Sequence, residues 1–309
     1  MSNRVLLTGG AGYIGSVLTQ LLLTKGYKVT IIDTFRFSEN SLNHLIADKN
    51  LDVLKIDARS ISKEILSNQD FIIPLAAIVG APACQMYQEE AISINRDSIL
   101  KILQNISDKQ NVIFPTTNSG YGTTSGDLYC DETTPLNPIS LYGKLKKEIE
   151  TTIMERENAV CFRLATVFGV SPRHRRDLLV NDFVFKAIKD KSISLFEPNF
   201  KRNYVHIKDV ARAYLFAIEN FDKLKGDVYN LGMSDANLSK LELCNKIKNY
   251  VKDLEIFISK NGSDPDKRNY IVSNEKIEKK GYNTEYTLDD GIKELIKYYL
   301  ISTKKNTNI

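Results

Sequence analysis

Three glycines, each three residues after the one before, constrain the fold of this chain more than any other feature. Gly9, Gly12 and Gly15 lie in Thr8-Gly-Gly-Ala-Gly-Tyr-Ile-Gly15, between an apolar strand-like run and a helix-like segment. A tight turn, close backbone approach to a pyrophosphate and close helix-to-strand packing each exclude a side chain, and glycine meets all three demands. The segment predicts a dinucleotide site; a glycine-rich turn without a ligand is the alternative.

The rest of the first half alternates short β-branched apolar runs with longer segments of helical period. This pattern is typical of βαβ units and predicts an α/β fold with a doubly wound parallel sheet. We expect strands at residues 5–8, 29–33, 53–56, 71–75, 112–116 and 160–164. Helices are expected to begin near Tyr13, Ser60, Gln85 and Ile139. In the helix after Gln85, Asn95 lies on the apolar stripe, where a buried amide must find a partner.

After Leu164 the alternation becomes irregular, which predicts a second, smaller lobe. Residues 171–177 are strongly basic, a strand near 228–231 is expected to return to the main sheet, and a last helix is expected near 288–299. We therefore place a dinucleotide-binding domain at residues 1–165, with a return segment near 200–235. Residues 166–309 are assigned mainly to a substrate-binding lobe.

Composition and charge argue against several classes of protein. The 42 Lys and Arg residues exceed the 38 acids only slightly and are scattered, so we expect no binding to nucleic acid. The four cysteines are far apart and unpaired in sequence, which favours a reducing cytoplasm and predicts no metal site. The first residues run directly into a strand and no apolar run reaches membrane-spanning length, so neither a signal peptide nor a membrane span is predicted.

A tyrosine and a lysine four residues apart supply the candidate proton-transfer group. On a helix, Tyr142 and Lys146 would share a face. A phenol titrates near ~10 in water, and a neighbouring ammonium favours the phenolate, which can act as a general base. Tyr204 and Lys208 show the same spacing, but in a strand-like run that would separate them by roughly 13 Å. We therefore discount the second pair.

Acidic residues after two predicted strands bear on the choice of dinucleotide. Asp33 ends the second strand, 18 residues after Gly15, where its carboxylate can accept hydrogen bonds from the adenosine ribose and would repel a 2′-phosphate. NAD is thus favoured over NADP, although Arg36 lies close enough to weaken the preference. Asp57, after the third strand, either borders the adenine or caps the following helix.

Hydroxyl groups follow the fifth predicted strand, at the sheet edge where ligands of open α/β sheets bind. Thr117 is the candidate for holding the substrate oxygen; the alternative is a turn residue that bonds its own backbone.

Taken together, these motifs resemble those of the extended short-chain dehydrogenase/reductases that act on nucleotide sugars. The resemblance spans nearly the whole chain and implies a Rossmann-type domain that binds NAD, with Thr117, Tyr142 and Lys146 as catalytic residues. The motifs that carry it are the glycine loop, Asp33, Leu75-Ala-Ala77, Thr117, Tyr142-Gly-Lys-Leu-Lys146 and Arg202-Asn-Tyr-Val-His-Ile-Lys-Asp209. The cofactor contacts that it implies are Gly9, Gly12, Tyr13, Ile14, Gly15, Asp33, Asp57, Leu75, Ala76, Ala77, Tyr142 and Lys146.

Within that superfamily, five further segments are most similar to the bacterial GDP-D-glycero-D-manno-heptose 4-dehydrogenases of capsule synthesis. They are Pro74-Leu-Ala-Ala-Ile-Val-Gly-Ala-Pro82, Pro115-Thr-Thr-Asn-Ser-Gly-Tyr-Gly122, Arg163-Leu-Ala-Thr-Val-Phe-Gly169, Leu178-Leu-Val-Asn-Asp182 and Asp264-Pro-Asp-Lys-Arg268. The resemblance implies oxidation at C4 of a GDP-linked heptose or hexose. The implied substrate contacts are Val79, Gly80, Asn118, Ser119, Thr166, Asn181, Arg202 and Arg268.

Among these, Arg202 and Arg268 are assigned to the diphosphate of the nucleotide sugar. The alternative is that both arginines form ion pairs at the surface. Asn181 is assigned to the nucleotide or phosphate, with a helix-end amide as the alternative. Arginine suits a phosphate because its rigid fork of donors binds two oxygens at once.

Departures from the superfamily pattern narrow the reaction. Members that eliminate water carry Asp-Glu after the catalytic Thr, and members that epimerise C3 and C5 commonly carry Cys at the second of these positions. Here the two positions hold Asn118 and Ser119, which disfavours both reactions. Thr166 replaces an Asn that contacts substrate in relatives.

A 4-epimerase, a 4-keto reductase and a non-catalytic NAD-binding sensor or scaffold remain as alternatives. The resemblance also implies a homodimer, or a tetramer, built on the helix after Gln85 and the Tyr142 helix.

Overall fold

The computed structural model describes residues 3–124, 129–259 and 269–302. All six predicted strands are present, shifted by at most two residues at either end. The strands are β1 (Arg4–Thr8), β2 (Lys28–Asp33), β3 (Leu51–Lys55), β4 (Phe71–Pro74), β5 (Asn111–Thr117), β6 (Tyr129–Cys130), β7 (Ala159–Leu164), β8 (Thr166–Phe168), β9 (Ser192–Leu195), β10 (Lys201–His206), β11 (Asp227–Leu231), β12 (Asn237–Ser239), β13 (Glu255–Ile258) and β14 (Ile271–Val272).

The helices alternate with the strands in the first half and dominate the second. They are α1 (Tyr13–Thr24), α2 (Lys63–Ser67), α3 (Ala81–Met86), α4 (Gln88–Ile92), α5 (Ser98–Asn105), α6 (Leu141–Ile153), α7 (Leu179–Lys189), α8 (Ile207–Glu219), α9 (Phe221–Leu224), α10 (Lys240–Tyr250), α11 (Glu275–Lys279) and α12 (Leu288–Ile301). Short 3₁₀ turns lie at Asn43–Leu45, Ala58–Ser60 and Asn118–Tyr121.

Seven parallel strands form the main sheet, in the order β11-β7-β5-β4-β1-β2-β3. Strand order therefore reverses between β1 and β4, which pair side by side with Thr8 opposite Pro74. In open α/β sheets a crevice forms at the carboxyl ends of the strands at such a reversal, and ligands bind there. The predicted fold class is confirmed, and β11 is the predicted returning strand, since it pairs with β7 along its whole length.

Most of the elements after β7 build a second core; α8, α9, α11 and β11 are among those that do not. A three-stranded sheet in the order β12-β10-β8 and the parallel pair of β9 and β13 both contribute side chains to this core. Helices α7, α10 and α12 pack there around side chains such as Phe168, Val184, Leu243 and Leu295. Helix α8 packs instead on α1 of the first half. The two halves thus interleave in sequence, as the returning strand predicts, and the division at residue 165 stays a prediction.

The helix predicted near Gln85 is broken into pieces and begins earlier. Pro82 lies in the first turn of α3, and a π-helical turn over Ser93–Asp97 joins α4 to α5. Asn95, in that turn, is fully buried; its Nδ2 donates to the Ile78 carbonyl and its Oδ1 accepts from the Ile78 N–H, both at 2.8 Å. The predicted need for a partner is confirmed.

The second tyrosine-lysine pair lies on two different elements. Tyr204 lies in β10 and Lys208 in α8, so this pair does not share a helical face and was rightly discounted. Within the described part of the chain, no helix is both long enough and apolar enough to cross a membrane.

Candidate active site

One cavity of about 680 Å³ lies at the carboxyl edge of the main sheet and extends to residues of the second lobe. It is lined by the loops that follow β1, β2, β3, β4, β5 and β7. Most of the predicted site residues meet there: Gly9, Gly12, Tyr13, Ile14, Gly15, Asp33, Asp57, Leu75, Ala76, Ala77, Val79, Gly80, Thr117, Ser119, Tyr142, Lys146, Thr166 and Arg202.

The glycine loop is packed as closely as the sequence predicts. Gly9 has a φ of +70°, and a Cβ there would lie 2.6 Å from the backbone nitrogen of Ala76 in the loop after β4. A Cβ on Gly12 would lie 2.9 Å from the carbonyl oxygen of Gly9. Helix α1 begins at this loop, and among the described residues no side chain caps it. Its first N–H groups are thus available to an anion, so the loop fits a dinucleotide diphosphate.

Asp33 is held at the end of β2 by two backbone N–H groups. Its Oδ2 accepts from Ala11 at 3.0 Å and its Oδ1 accepts from Phe35 at 2.8 Å. Burial raises the pKa of Asp33, and the hydrogen bonds partly offset that rise. Each carboxylate oxygen can accept a second hydrogen bond. The arrangement therefore leaves acceptor capacity for ribose hydroxyls on the cavity side.

Two residues were considered for contacts at the adenosine 2′ position and at the adenine. In the structure both already form contacts with other side chains of the protein. Arg36 forms an ion pair with Glu90 at 2.6 Å, and both residues line the cavity. Asp57 caps the Ala58–Ser60 turn, since its Oδ1 accepts from the Arg59 N–H at 2.8 Å, and it also pairs with the Arg59 guanidinium. Asp57 thus acts as the predicted cap while it lines the cavity.

Tyr142 and Lys146 lie together in the first turns of α6. Ser140 caps this helix by accepting from the Gly143 N–H at 3.2 Å, which sets the start of α6 two residues later than predicted. The Lys146 Nζ lies 6.0 Å from the centre of the Tyr142 ring and donates to the Pro115 carbonyl at 2.9 Å. The prediction that the two side chains share a face is confirmed.

Lys146 is only 3% exposed, and burial lowers its pKa to about 7. The lysine was predicted as an ammonium; in this cavity its ammonium and amine forms are close in free energy near neutral pH. A negatively charged ligand in the cavity would favour the ammonium.

Thr117 ends β5 beside the same cavity. Its Oγ1 accepts from the Ser119 N–H at 3.1 Å, and its hydroxyl lies 2.9 Å from the Ser119 hydroxyl. The alternative of a turn residue bonding its own backbone is therefore observed. Both residues also line the cavity, so their hydroxyl-bearing turn lies beside whatever binds there.

A buried network ties α6 to the sheet next to Thr117. Glu150, one turn beyond Lys146, forms an ion pair with Arg163 of β7 at 2.6 Å, and the Thr116 hydroxyl donates to it at 2.7 Å. Arg163 also donates to the Tyr121 hydroxyl at 3.1 Å. This pair was not predicted, because Glu150 and Arg163 lie 13 residues apart on different elements. Its position fixes the helix of Tyr142 relative to the strand of Thr117.

Two predicted substrate residues, Asn181 and Asn118, do not line the cavity in the described structure. Asn181 is fully buried: it accepts from the Gly169 N–H at 3.0 Å and donates to the Arg175 carbonyl at 2.7 Å and to the Tyr13 hydroxyl at 3.3 Å. Its amide is thus used to join α7 to α1. Asn118 is also fully buried, and its side chain has no hydrogen-bond partner among the described residues. Arg268 lies outside the described residues.

Several lining residues were not predicted. Phe37, Arg173, Arg175, Lys240 and Tyr270 all border the cavity. The basic run at residues 171–177 was the available signal for the two arginines, but a surface location explains such a run equally well from sequence alone. Arg202, which was predicted, lies with its guanidinium carbon 5.6 Å from the centre of the Tyr270 ring.

Comparison with known proteins is consistent with this geometry. The UDP-glucose 4-epimerase of Corynebacterium glutamicum is 26% identical over 316 residues, covering 92% of each chain. The putative UDP-glucose 4-epimerase of Methanocaldococcus jannaschii is 26% identical over 310 residues, covering 95% of this chain and 97% of the relative.

Among solved structures, the UDP-glucuronic acid 4-epimerase of Bacillus cereus, in complex with UDP-glucuronic acid and NAD, superposes with a TM-score of 0.83. It is 23% identical, and the match covers 96% of this chain and 99% of that one, so it supports the Rossmann-type fold. A sequence profile of the NAD dependent epimerase/dehydratase family matches residues 5–232, which include the glycine loop, Thr117, Tyr142 and Lys146. The chain therefore belongs to the NAD dependent epimerase/dehydratase family, and its cofactor is NAD.

Proposed function

We propose that this protein is an NAD-dependent oxidoreductase that oxidises the C4 hydroxyl of a nucleotide-diphosphate sugar. The observation that carries the proposal is that Thr117, Tyr142 and Lys146 line the same cavity as the glycine loop. A base, a hydroxyl that can hold the substrate oxygen, and a dinucleotide loop are the groups that removal of hydride from an alcohol requires.

Each of the three side chains has a distinct role. Tyr142, as the phenolate, accepts the proton of the C4 hydroxyl. Thr117 donates its hydroxyl hydrogen bond to the same oxygen and keeps it within reach. Lys146, in its ammonium form, stabilises the phenolate and donates to a cofactor ribose hydroxyl. Bound NAD supplies the acceptor for the C4 hydride.

A 4,6-dehydratase is disfavoured by the residues that follow Thr117. Elimination of water needs an acid and a base beside the sugar, and here the two positions hold an amide and a hydroxyl. Neither Asn118 nor Ser119 exchanges protons efficiently near neutral pH. Ser119 is instead bonded to Thr117 through its hydroxyl and its N–H.

For the substrate we propose a GDP-linked heptose in surface polysaccharide synthesis, on the sequence motifs that resemble the GDP-heptose 4-dehydrogenases. Arg202, beside Tyr270, is the proposed diphosphate contact, because its guanidinium can bind two phosphate oxygens. Arg268 stays a second candidate, and Val79, Gly80 and Thr166 are proposed to contact the sugar. UDP-sugars are the alternative, since the relatives compared above are named for them.

A 4-epimerase is the second candidate function, and it is favoured by the names of those relatives. It would use the same three catalytic residues, because epimerisation begins with the same oxidation. In a 4-dehydrogenase the keto sugar leaves the site. In a 4-epimerase the keto sugar rotates within the site and is reduced on its other face.

Mass spectrometry of GDP-heptose, GDP-mannose and UDP-glucose after incubation with the protein and NAD tests the proposal. We expect a product of GDP-heptose lighter by two hydrogens. A product of unchanged mass but different retention would assign a 4-epimerase, and loss of water would assign a dehydratase.

Tyr142→Phe separates catalysis from binding. We expect this variant to lose turnover while it binds NAD as the unchanged protein does. Undiminished turnover would remove Tyr142 from the mechanism, and no turnover of any sugar by the unchanged protein would favour a non-catalytic NAD-binding sensor or scaffold.

We also propose a homodimer formed by the segment from α3 to α5 and by α6. Met86 and Tyr87 of this face are 59% and 39% exposed. Light scattering that detects only monomer would contradict this assembly.

A further inference from the structure

We propose that Arg173, a residue of the second lobe, is a cofactor-binding residue that binds the diphosphate of NAD. It lines the same cavity as the glycine loop and Asp33. The proposal concerns the NAD site alone, and it holds or fails independently of which sugar is the substrate.

The segment that carries Arg173 is fastened to the first turn of α1. The Tyr13 hydroxyl donates to the Gly169 carbonyl at 2.8 Å, and the Ser171 hydroxyl donates to the Tyr13 carbonyl at 2.8 Å. The Ser171 hydroxyl also lies 3.0 Å from the hydroxyl of Ser16. Arg173 follows Ser171 by two residues, so these bonds hold it beside the helix N-terminus at which the phosphates of a dinucleotide bind.

The Arg173 side chain is held inside the protein and against an aromatic ring. It is 5% exposed, and its guanidinium carbon lies 4.7 Å from the centre of the Phe37 ring, which also lines the cavity. Packing against a ring face restricts the orientation of the flat guanidinium group. The fork geometry of a guanidinium matches two phosphate oxygens.

The charges around Arg173 favour an anionic ligand. Burial and the neighbouring Arg175 lower the pKa of Arg173 to about 10, whereas Asp177 and Asp33 oppose the fall. The group is therefore still cationic at neutral pH. Asp177 forms an ion pair with Arg175 and also acts electrostatically on Arg173. One carboxylate therefore faces two guanidinium groups. A diphosphate in the cavity would compensate the cost of burying this positive charge.

The neighbouring Arg176 provides a matched control. It belongs to the same basic run, and its guanidinium carbon lies 4.5 Å from the centre of the Phe185 ring. It does not line the cavity in the described structure. Replacing Arg176 removes the same charge from the same segment without touching the proposed contact.

The test measures the dissociation constants of NAD, and separately of GDP and UDP, for the unchanged full-length protein, Arg173→Gln, Arg173→Lys and Arg176→Gln by isothermal titration calorimetry. We expect Arg173→Gln to weaken NAD binding by about 10- to 100-fold, as the loss of a charge-assisted hydrogen bond does. Arg173→Lys should show a smaller loss because it keeps the charge but not the fork. Arg176→Gln should bind NAD within about twofold of the unchanged protein, and added salt should weaken NAD binding less in Arg173→Gln.

Two results would overturn the proposal. One is NAD binding within about twofold of the unchanged protein in Arg173→Gln. The other is weakened binding of GDP or UDP with NAD binding intact, which would assign Arg173 to the substrate diphosphate. If Arg173→Gln does not fold, as judged by circular dichroism, Arg173→Lys decides: NAD binding equal to that of the unchanged protein contradicts a bidentate contact.

Discussion

Lys146 makes the stability of the cofactor-free protein depend on pH in a direction that can be measured. Its pKa falls from 10.5 to about 7, mainly because the amine is buried. In the unfolded chain the same lysine keeps its proton until the pH approaches its ordinary pKa. Between these two values Lys146 is therefore more often protonated in the unfolded state than in the folded state, so its contribution to the free energy of unfolding rises with pH.

The magnitude follows from the two pKa values. Below the folded-state pKa the cost of holding the ammonium in the protein is fully present, and above the unfolded-state pKa it is gone. Proton linkage then raises the contribution of Lys146 to the free energy of unfolding by about 3 kcal/mol between about pH 6.5 and about pH 9.5. The buried thiols Cys84 and Cys161 act in the opposite direction at high pH. Burial raises the pKa of both, to about 11 for Cys84, so the folded state keeps their protons where the unfolded chain begins to lose them. Because a variant at Lys146 retains both thiols, the difference between its pH profile and that of the unchanged protein isolates the lysine.

Urea denaturation of NAD-free protein across this pH range provides the assay, with Lys146→Met as the perturbation. The variant lacks the titrating amine, so its stability advantage over the unchanged protein should shrink by about 3 kcal/mol as the pH rises. Lys144→Met, an exposed lysine on the same helix, should follow the unchanged protein at every pH. Parallel pH profiles for Lys146→Met and the unchanged protein would refute the reasoning.

Three further predictions concern a buried ion pair, the glycine loop and a buried amide. Glu150→Gln leaves the Arg163 guanidinium buried without its counterion. We expect the free energy of unfolding to fall by about 3–5 kcal/mol in urea denaturation, and a fall below about 1 kcal/mol would contradict this. Gly9→Ala should abolish NAD binding in calorimetry, whereas Gly26→Ala, which has φ +82° but nothing within 4 Å of its Cβ, should bind NAD normally; equal binding by both variants would show that the contact at Gly9 does not matter. Asn181→Ala should cost about 1–3 kcal/mol in thermal unfolding, because it leaves buried backbone groups unpaired, and an unchanged melting temperature would count against that role.

The sequence predicted the features that depend on short spacings. The glycine loop, the strands of the main sheet and the shared face of Tyr142 and Lys146 each follow from residues only a few positions apart. Local sterics and helical geometry decide such features before any tertiary contact forms. A strand near residues 228–231 that returns to the main sheet was also predicted, and β11 is that strand.

The roles of individual polar residues were harder to predict. Asn181 was assigned to the nucleotide or phosphate, with a helix-end amide as the alternative, and its amide is hydrogen-bonded to Gly169, Arg175 and Tyr13. Asp57 was left between an adenine contact and a cap, and it caps a turn while it lines the cavity. A hydrogen-bonding side chain takes whichever partner the fold places within reach, and its own neighbours in sequence do not name that partner.

By itself, then, the order of residues determined that this chain builds a parallel sheet with a dinucleotide loop and a tyrosine-lysine pair at its edge. Only the tertiary structure decided the lowered pKa of Lys146, the ion pair of Glu150 with Arg163, and the presence of Arg173 in the cavity. These depend on burial and on contacts between distant segments, such as Tyr13 with Gly169, 156 residues apart. Desolvation and long-range contact are properties of the packed chain, so no local pattern encodes them.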